Sequence, residues 1–284
     1  MTAEKCDEYE HFEAPEGQSP YGSNPEGVIL ALYNKTEAIV LGQNDFGEAD
    51  KVVTLYTKEF GKLKAVAKGV RRIKSRFGSA MEPFSHDHLM LYMPRKRDLY
   101  VVTGSRIIRT HKELRENFDS FITGSYVTEL VNKLTEPEEP NRHLFSLILQ
   151  AFRQIPKQDR DIIIVIFAIK FLADAGYKLN LEKCVFCEKP ISLTEQKKLS
   201  IQHGGLLCAK CQSRDVQAID VSSLALQYFK KIGIVDLTKV GRINIETSIK
   251  NELKRIVHFY LSHHLPGRLK TEEFMEKLIS SSMV

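Results

Sequence analysis

TEAIVL (36–41), KVVTLYT (51–57), KLKAVAKG (62–69), HLMLYM (88–93) and LYVVT (99–103) are five short apolar runs rich in β-branched and aromatic residues. Each is bounded by residues that break a strand: Gly42 to Gly47, Phe60-Gly61, Gly78, Pro83, and Pro94 to Asp98. The third run alternates. Leu63, Ala65 and Ala67 fall on one face, and Lys62, Lys64, Val66 and Lys68 on the other, as expected of a strand with a buried side and a cationic outside. Five strands of this length suit a small closed barrel, with the five-stranded OB-fold foremost. A small sandwich or an SH3-like barrel has the same spacing.

Downstream of His111 the apolar period becomes helical. Residues 120–134 place Ile122, Tyr126, Leu130 and Val131 on one stripe and stop at Glu136-Pro137. Asn141 caps a helix over 144–155, which ends at Pro156. Asp159 caps a longer one through Tyr177, apolar almost all round and therefore central to a bundle. An irregular cysteine-bearing insert follows at 184–211, and helices resume at 222–232, 246–264 and 271–278.

The expected fold class is α+β and multidomain. An acidic tail over 1–27 precedes a barrel over 28–110. A helical domain over 111–182 and 215–284 is interrupted by a four-cysteine module at 183–214. A chain of 284 residues is about twice the commonest domain size, so several domains are expected. With 43% hydrophobic and 27% charged residues, wholesale disorder is not. The longest apolar run, Ile162 to Ile169, is far short of the roughly 18 residues that span a bilayer. The N-terminus lacks the basic start and apolar core of a secretory signal, so a cytoplasmic protein is expected.

Charge is distributed unevenly behind a net +5. Residues 1–34 hold one Lys against seven acids, whereas 36–112 hold fifteen Lys or Arg against eight acids. The tail reads either as a solubilising segment or as one that competes for a polyanion-binding face. The densest cationic stretch is Lys68, Arg71, Arg72, Lys74 and Arg76, five cations in nine residues with no acid. Arg95, Lys96 and Arg97 sit in the turn between the fourth and fifth strands. Together with Lys51, Lys62 and Lys64 these residues define one candidate groove for a phosphate backbone, bound through counterion release. Phe77, Tyr92 and Tyr100 are candidate stacking platforms for bases, with burial in the core as the plain alternative. No segment reads as a groove-reading recognition helix.

Cys184, Cys187, Cys208 and Cys211 form two CxxC pairs separated by twenty residues. That spacing fits a structural Zn2+ site, in which two tight turns aim four thiolates at one cation. An iron–sulfur cluster or a redox dithiol uses the same residues. Lys183, Lys189 and Lys210 flank the thiolates; His203 lies between the pairs, and Cys6 stands apart in the tail. Signatures of phosphate-binding loops, dinucleotide folds, zinc proteases and serine hydrolases are missing, so an enzyme is not expected. His86-Asp87-His88 is the weaker candidate, for a metal-dependent nuclease. A third class is an adaptor whose basic face binds acidic protein tails.

AIVLGQNDFGEADKVVTLYT (38–57), FGKL (60–63), AKGVRR (67–72), EPF (82–84) and FLADAGY (171–177), which runs on into the CxxC pairs, resemble the RecO family of bacterial recombination mediators. The resemblance covers about residues 36 to 270. It implies an N-terminal OB-fold, a helical domain and a four-cysteine zinc module. It further implies binding of single- and double-stranded DNA, annealing of complementary strands, and help in loading recombinase onto strands coated by single-strand-binding protein. The implied partners are RecR and the acidic C-terminal tail of single-strand-binding protein, docked in an apolar slot rimmed by Lys or Arg on the helical domain. It puts Lys68, Arg71, Arg72, Lys74 and Arg76 on DNA, and Cys184, Cys187, Cys208 and Cys211 on zinc. The acidic stretch ahead of Thr36 is longer than that family usually carries.

Overall fold

A computed structural model describes residues 33–73, 75, 77–93, 99–192, 196–242 and 245–281. The acidic tail, Lys74, Arg76, Arg95, Lys96 and Arg97 lie outside the described residues. Strands β1 (Tyr33–Phe46), β2 (Asp50–Thr57), β3 (Gly61–Ala67), β4 (His86–Tyr92) and β5 (Tyr100–Arg109) form a closed barrel in the order β1-β2-β3-β5-β4. All pairings are antiparallel except β3 with β5, which closes the barrel over only Ala65↔Tyr100 and Val66↔Val101. The register also shows how steeply the strands tilt. A sideways path from Val66 through Val101 and Tyr92 reaches Tyr33, and the opposite path through Val52 reaches Asn44, near the other end of β1.

Two strands outrun their sequence signal. β1 continues through Gly42, where a break was expected, because a register shift between Val40 and Gly42 bends the strand without ending it. Its first half pairs with β4 and its second with β2. The far half of β5, Gly104 to Arg109, is partly or fully exposed and polar in pattern, so no alternation betrays it. Pairing with β4 out to His86↔Arg109 holds it in the sheet. Val40, Val53, Leu55, Leu63, Ala65, Leu89, Leu91 and Val102 fill the barrel, with Phe77 and Met81 in the same cluster.

The helices are α1 (Lys112–Glu116), α2 (Phe118–Leu134), α3 (Arg142–Gln154), α4 (Arg160–Asp174), α5 (Ser223–Ile234), α6 (Thr247–His264) and α7 (Lys270–Ser281). Asn117, Asn141, Asp159 and Ser222 cap α2, α3, α4 and α5 by accepting the backbone N–H three residues on, at 2.9, 2.9, 3.1 and 3.0 Å. α4 stops at Asp174, short of the expected Tyr177. Gly176 takes φ 87°, and the Tyr177 N–H turns back to the Leu172 carbonyl at 2.8 Å, a glycine-terminated helix end. The bundle core surrounds α4, whose Ile163 to Ile169, Phe171 and Leu172 are all buried. Barrel residues Ile39, Leu41, Tyr56 and Phe84 belong to that same core, so the junction is apolar. Phe84 reaches across it to Phe121 and Phe152, edge to face.

The insert is more regular than expected: β6 (Lys197–Ser200), β7 (Gly205–Cys208) and β8 (Ile219–Asp220) make a small sheet ordered β7-β6-β8. Strands of two to four residues are too short to show a period in sequence.

One buried group bears on stability. Asp87, near the start of β4, is at 0% exposure, with one carboxylate oxygen on Ser85 Oγ at 3.1 Å and the other without a partner among the described residues. Burial pushes its carboxyl up to about 8, against smaller lowering effects from Ser85 and Arg115. The folded state therefore holds a proton that the unfolded chain releases near pH 4. The Asp87 contribution to stability declines as pH rises from about 4 to about 8, by up to about 1.4 kcal/mol per unit. Asp87→Asn is expected to flatten that decline and to raise stability by about 2–4 kcal/mol at pH 8. Denaturant melts at pH 5 and pH 8 check it; equal pH dependence in both proteins refutes it.

Candidate nucleic-acid interface and metal centre

The cationic residues of the barrel fall into three groups. Lys51 shares its strand face with Val53 and Leu55, so it lies at the barrel mouth. Its ammonium donates to Gln43 Oε1 at 2.9 Å and stands 3.9 Å from Glu82. Lys62 faces outward but is half-buried, donating to the carbonyl oxygens of Asn132, at 2.6 Å, and Thr135. It thus caps the C-terminal end of α2, where a cation complements the helix dipole. Burial lowers its pKa, with Glu136 opposing and Lys64 adding to the shift. Lys62 lines one groove with Lys64, which is exposed on the outer face beside Thr54, whereas Lys51 does not line it.

The third group follows β3. Lys68 and Arg72 are exposed, and Arg71 lies between them in a loop fastened to the β1–β2 turn. The Gly69 N–H donates to Asp50 Oδ1 at 2.8 Å, and the Arg71 N–H to the Ala49 carbonyl at 3.0 Å. The Arg71 guanidinium reaches Asp45 at 3.3 Å. The acids of the first turn therefore hold the basic loop in place. Ile73 at its tip is fully exposed, a feature the sequence reading passed over.

Of the candidate stacking residues, Phe77 and Tyr100 are core, at 2% and 7% exposure. Tyr100 donates to Glu138 Oε1 at 3.2 Å. Tyr92 keeps partial exposure and pairs with Tyr33, ring centres 5.8 Å apart. Tyr33, half-exposed at the entry to β1, was missed because it precedes the apolar run that announces the strand. His86 is held by Glu37 at 3.0 Å and packs against Phe145, while Asp87 points to the opposite side. These residues do not assemble a metal-ligand group among the described residues.

The cysteines do assemble one. One sulfur from each of Cys184, Cys187, Cys208 and Cys211 lies within 4.8 Å of every other, with Cys187 and Cys208 Sγ at 3.8 Å. Each pair sits in a tight turn, the first closing over four residues and the second over three. The Glu188 N–H closes back on the Cys184 carbonyl, and the Cys211 N–H on the Cys208 carbonyl, each at 2.9 Å. Cys184 and Cys211 are buried, Cys187 and Cys208 nearer solvent. Burial raises the Cys184 thiol, but backbone donors of Cys208, Cys187 and Phe186 bring it down to about 6. Burial and the neighbouring sulfurs push Cys211 up to about 12. Four sulfurs this close cannot all ionise unaided, and a bound cation removes that repulsion. His203 is not aimed at them; its ring meets the edge of Phe186, over which Arg214 also lies.

On the helical domain a cavity of about 770 Å3 is floored by Ile169, Leu172, Phe229 and Tyr260, with Lys178 and Lys230 at its rim. No helix among the described residues is long and apolar enough to cross a membrane.

A basic five-stranded barrel is followed by a helical bundle that carries a four-thiolate cluster between α4 and α5. The family model for Recombination protein O, N terminal, matches residues 31–111, and that for Recombination protein O, C terminal, matches 115–273. Similar curated proteins are the DNA repair protein RecO of Halalkalibacterium halodurans, 32% identical over 88% of this chain and 96% of its own length, and that of Shouchella clausii, 34% identical over 87% and 95%. The RecO of a Thermoanaerobacter species is 32% identical over 86% and 97%. The chain belongs to the RecO family, and with it to the proteins of recombinational DNA repair.

Proposed function

We propose that this protein is a DNA-binding recombination mediator. It anneals complementary single strands and assists recombinase loading onto strands coated by single-strand-binding protein. The observation that carries this reading is the rigidly fastened basic loop at Lys68, Arg71 and Arg72 on a closed five-stranded barrel, which we read as an OB-fold. In our domain division the OB-fold occupies 28–110, the helical domain 111–182 and 215–284, and the zinc module 183–214. Lys64, Lys68, Arg71 and Arg72 form the described part of the DNA surface. Lys74, Arg76, Arg95, Lys96 and Arg97 extend it in sequence, and Lys51 and Lys62 support the barrel around it.

Annealing of this kind makes and breaks no covalent bond, so it calls for no catalytic residue. A cationic surface lowers the repulsion between two phosphate backbones and leaves the bases free to pair, driven by released counterions. We assign zinc to the cysteines in a structural role. A tetrahedron with Zn–S distances of about 2.3 Å has edges of about 3.8 Å, which agrees with the Cys187–Cys208 separation. A four-thiolate shell leaves no open position for a reacting water. The apolar slot rimmed by Lys178 and Lys230 suits an acidic peptide with an apolar end, and there we place the C-terminal tail of single-strand-binding protein. RecR is the second protein partner. These partners put its work in the cytoplasm, at the nucleoid.

A strand-annealing assay over a salt series, with and without single-strand-binding protein, tests the reading. Annealing faster than the spontaneous rate, and declining steeply with salt, is the expected result. Negligible affinity for bare oligonucleotide at moderate salt would instead indicate an adaptor for acidic protein tails.

A further inference from the structure

The α2–α3 connection does more than join two helices. Because β3 and β5 pair over only two residues, the lower half of β3 would present an open edge. Pro137 bridges to Lys62 in parallel, and the Glu138 N–H donates to the Lys62 carbonyl at 2.8 Å. Gly61, at φ 66°, permits the approach: a Cβ there would lie 2.3 Å from the Glu139 carbonyl oxygen. The helical domain thus supplies an extra segment to the barrel edge, and a groove of about 410 Å3 remains between that segment and the outer face of β2 and β3. The volume lies within the range of about 300–1,000 Å3 usual for small-ligand sites.

The walls of the groove are chemically mixed. Pro137 offers apolar surface, Leu63 is turned mostly into the barrel core, and the Lys62 ammonium, already held by the α2 carbonyls, also lines the groove. The Thr54 hydroxyl, the Lys64 ammonium and the Asn132 side-chain amide line it with no hydrogen-bond partner among the described residues. Thr54 and Lys64 are direct cross-strand partners. Glu138, held by the Tyr100 hydroxyl, adds a carboxylate acceptor. An apolar contact, donors and acceptors at its margin, and in Lys64 a cation that the helix end does not engage match a nucleobase with its adjoining phosphate.

Resting on the DNA-binding reading above, we propose that this groove takes one unpaired base of a single strand, with Lys64 on the neighbouring phosphate. A base in a duplex already shares its Watson–Crick edge and is stacked on both faces, so only an unpaired one enters without a large unstacking cost. The groove would therefore favour single strands over duplexes at a surface whose basic loop binds either.

The test compares a short oligonucleotide with an abasic strand of the same backbone, using the full chain and the double variant Thr54→Val, Asn132→Ala. Both changes are mild: valine is close to isosteric with threonine, Asn132 is exposed, and its backbone carbonyl still holds Lys62. The unsubstituted protein is expected to bind the base-bearing strand about fivefold or more tightly than the abasic one, the worth of about one or two hydrogen bonds. The variant is expected to bind both with the abasic affinity. A variant that keeps the full preference, or an unsubstituted protein that shows none, overturns the groove as a base site. Failure of the unsubstituted protein to bind either strand would overturn the DNA-binding reading itself.

Discussion

Replacing Cys184 by Ser is expected to abolish stoichiometric zinc binding and to unfold the module around it, while the barrel keeps its fold. The cluster needs all four sulfurs, and Cys184 is one of the two buried ones, with its thiol drawn down to about 6 by the surrounding backbone donors. A site that relies on the metal to neutralise mutually repelling thiolates gains folding free energy from it; in isolated zinc peptides this amounts to about 10–16 kcal/mol. Only part of that falls on the present chain, because Leu199 and Leu206 tie the insert to the bundle core. A loss of about 3 kcal/mol or more is expected, with rapid amide exchange through the β6–β7 sheet. The barrel has its own apolar cluster, so oligonucleotide binding by the variant should persist. Metal analysis, exchange mass spectrometry and a thermal melt read the three effects. Metal-free protein as stable as metal-loaded protein would contradict the assignment.

What could be read in advance follows from which forces act locally. The third barrel strand announced itself by a buried face beside a solvated one, Leu63, Ala65 and Ala67 against Lys62 and Lys64, and the others by β-branched and aromatic runs between breaks, some of them buried on both faces. Helix starts at Asn141 and Asp159 were legible because a cap is a contact between residues three apart. The thiolate cluster was legible for the same reason, each half lying within one short turn. The far end of β5 was not, since its place in the sheet depends on β4 and not on its own pattern. Nor was the fate of Lys62. Its sequence neighbourhood marks it as another barrel cation, and only the arrival of the α2 C-terminus, seventy positions away in the chain, turns it from a phosphate contact into a helix cap. Phe77 and Tyr100 followed the same course: aromatic among cations in sequence, enclosed by the barrel in three dimensions. Nothing local in the sequence shows that Asp45 and Asp50 fix the loop that carries Arg71 and Arg72.

That loop is where the second large effect is expected. Substituting Arg71 and Arg72 together by Ala removes the Arg71 side-chain contacts to Asp45 and Gly47 but keeps the backbone fastening, because the Gly69 and Arg71 N–H groups still hold the loop to Asp50 and Ala49. Each arginine that neutralises a phosphate contributes about 0.7 to the slope of log K against log salt on single strands and about 0.9 on duplex. Losing both lowers affinity for a single strand by about 25-fold at 0.1 M salt from this effect alone. The direct measurement is oligonucleotide affinity as a function of salt for the two proteins. A slope shallower by about 1.4 on single strands is the result expected if DNA lies on the barrel; an unchanged slope would put the DNA elsewhere and contradict the barrel as its binding surface.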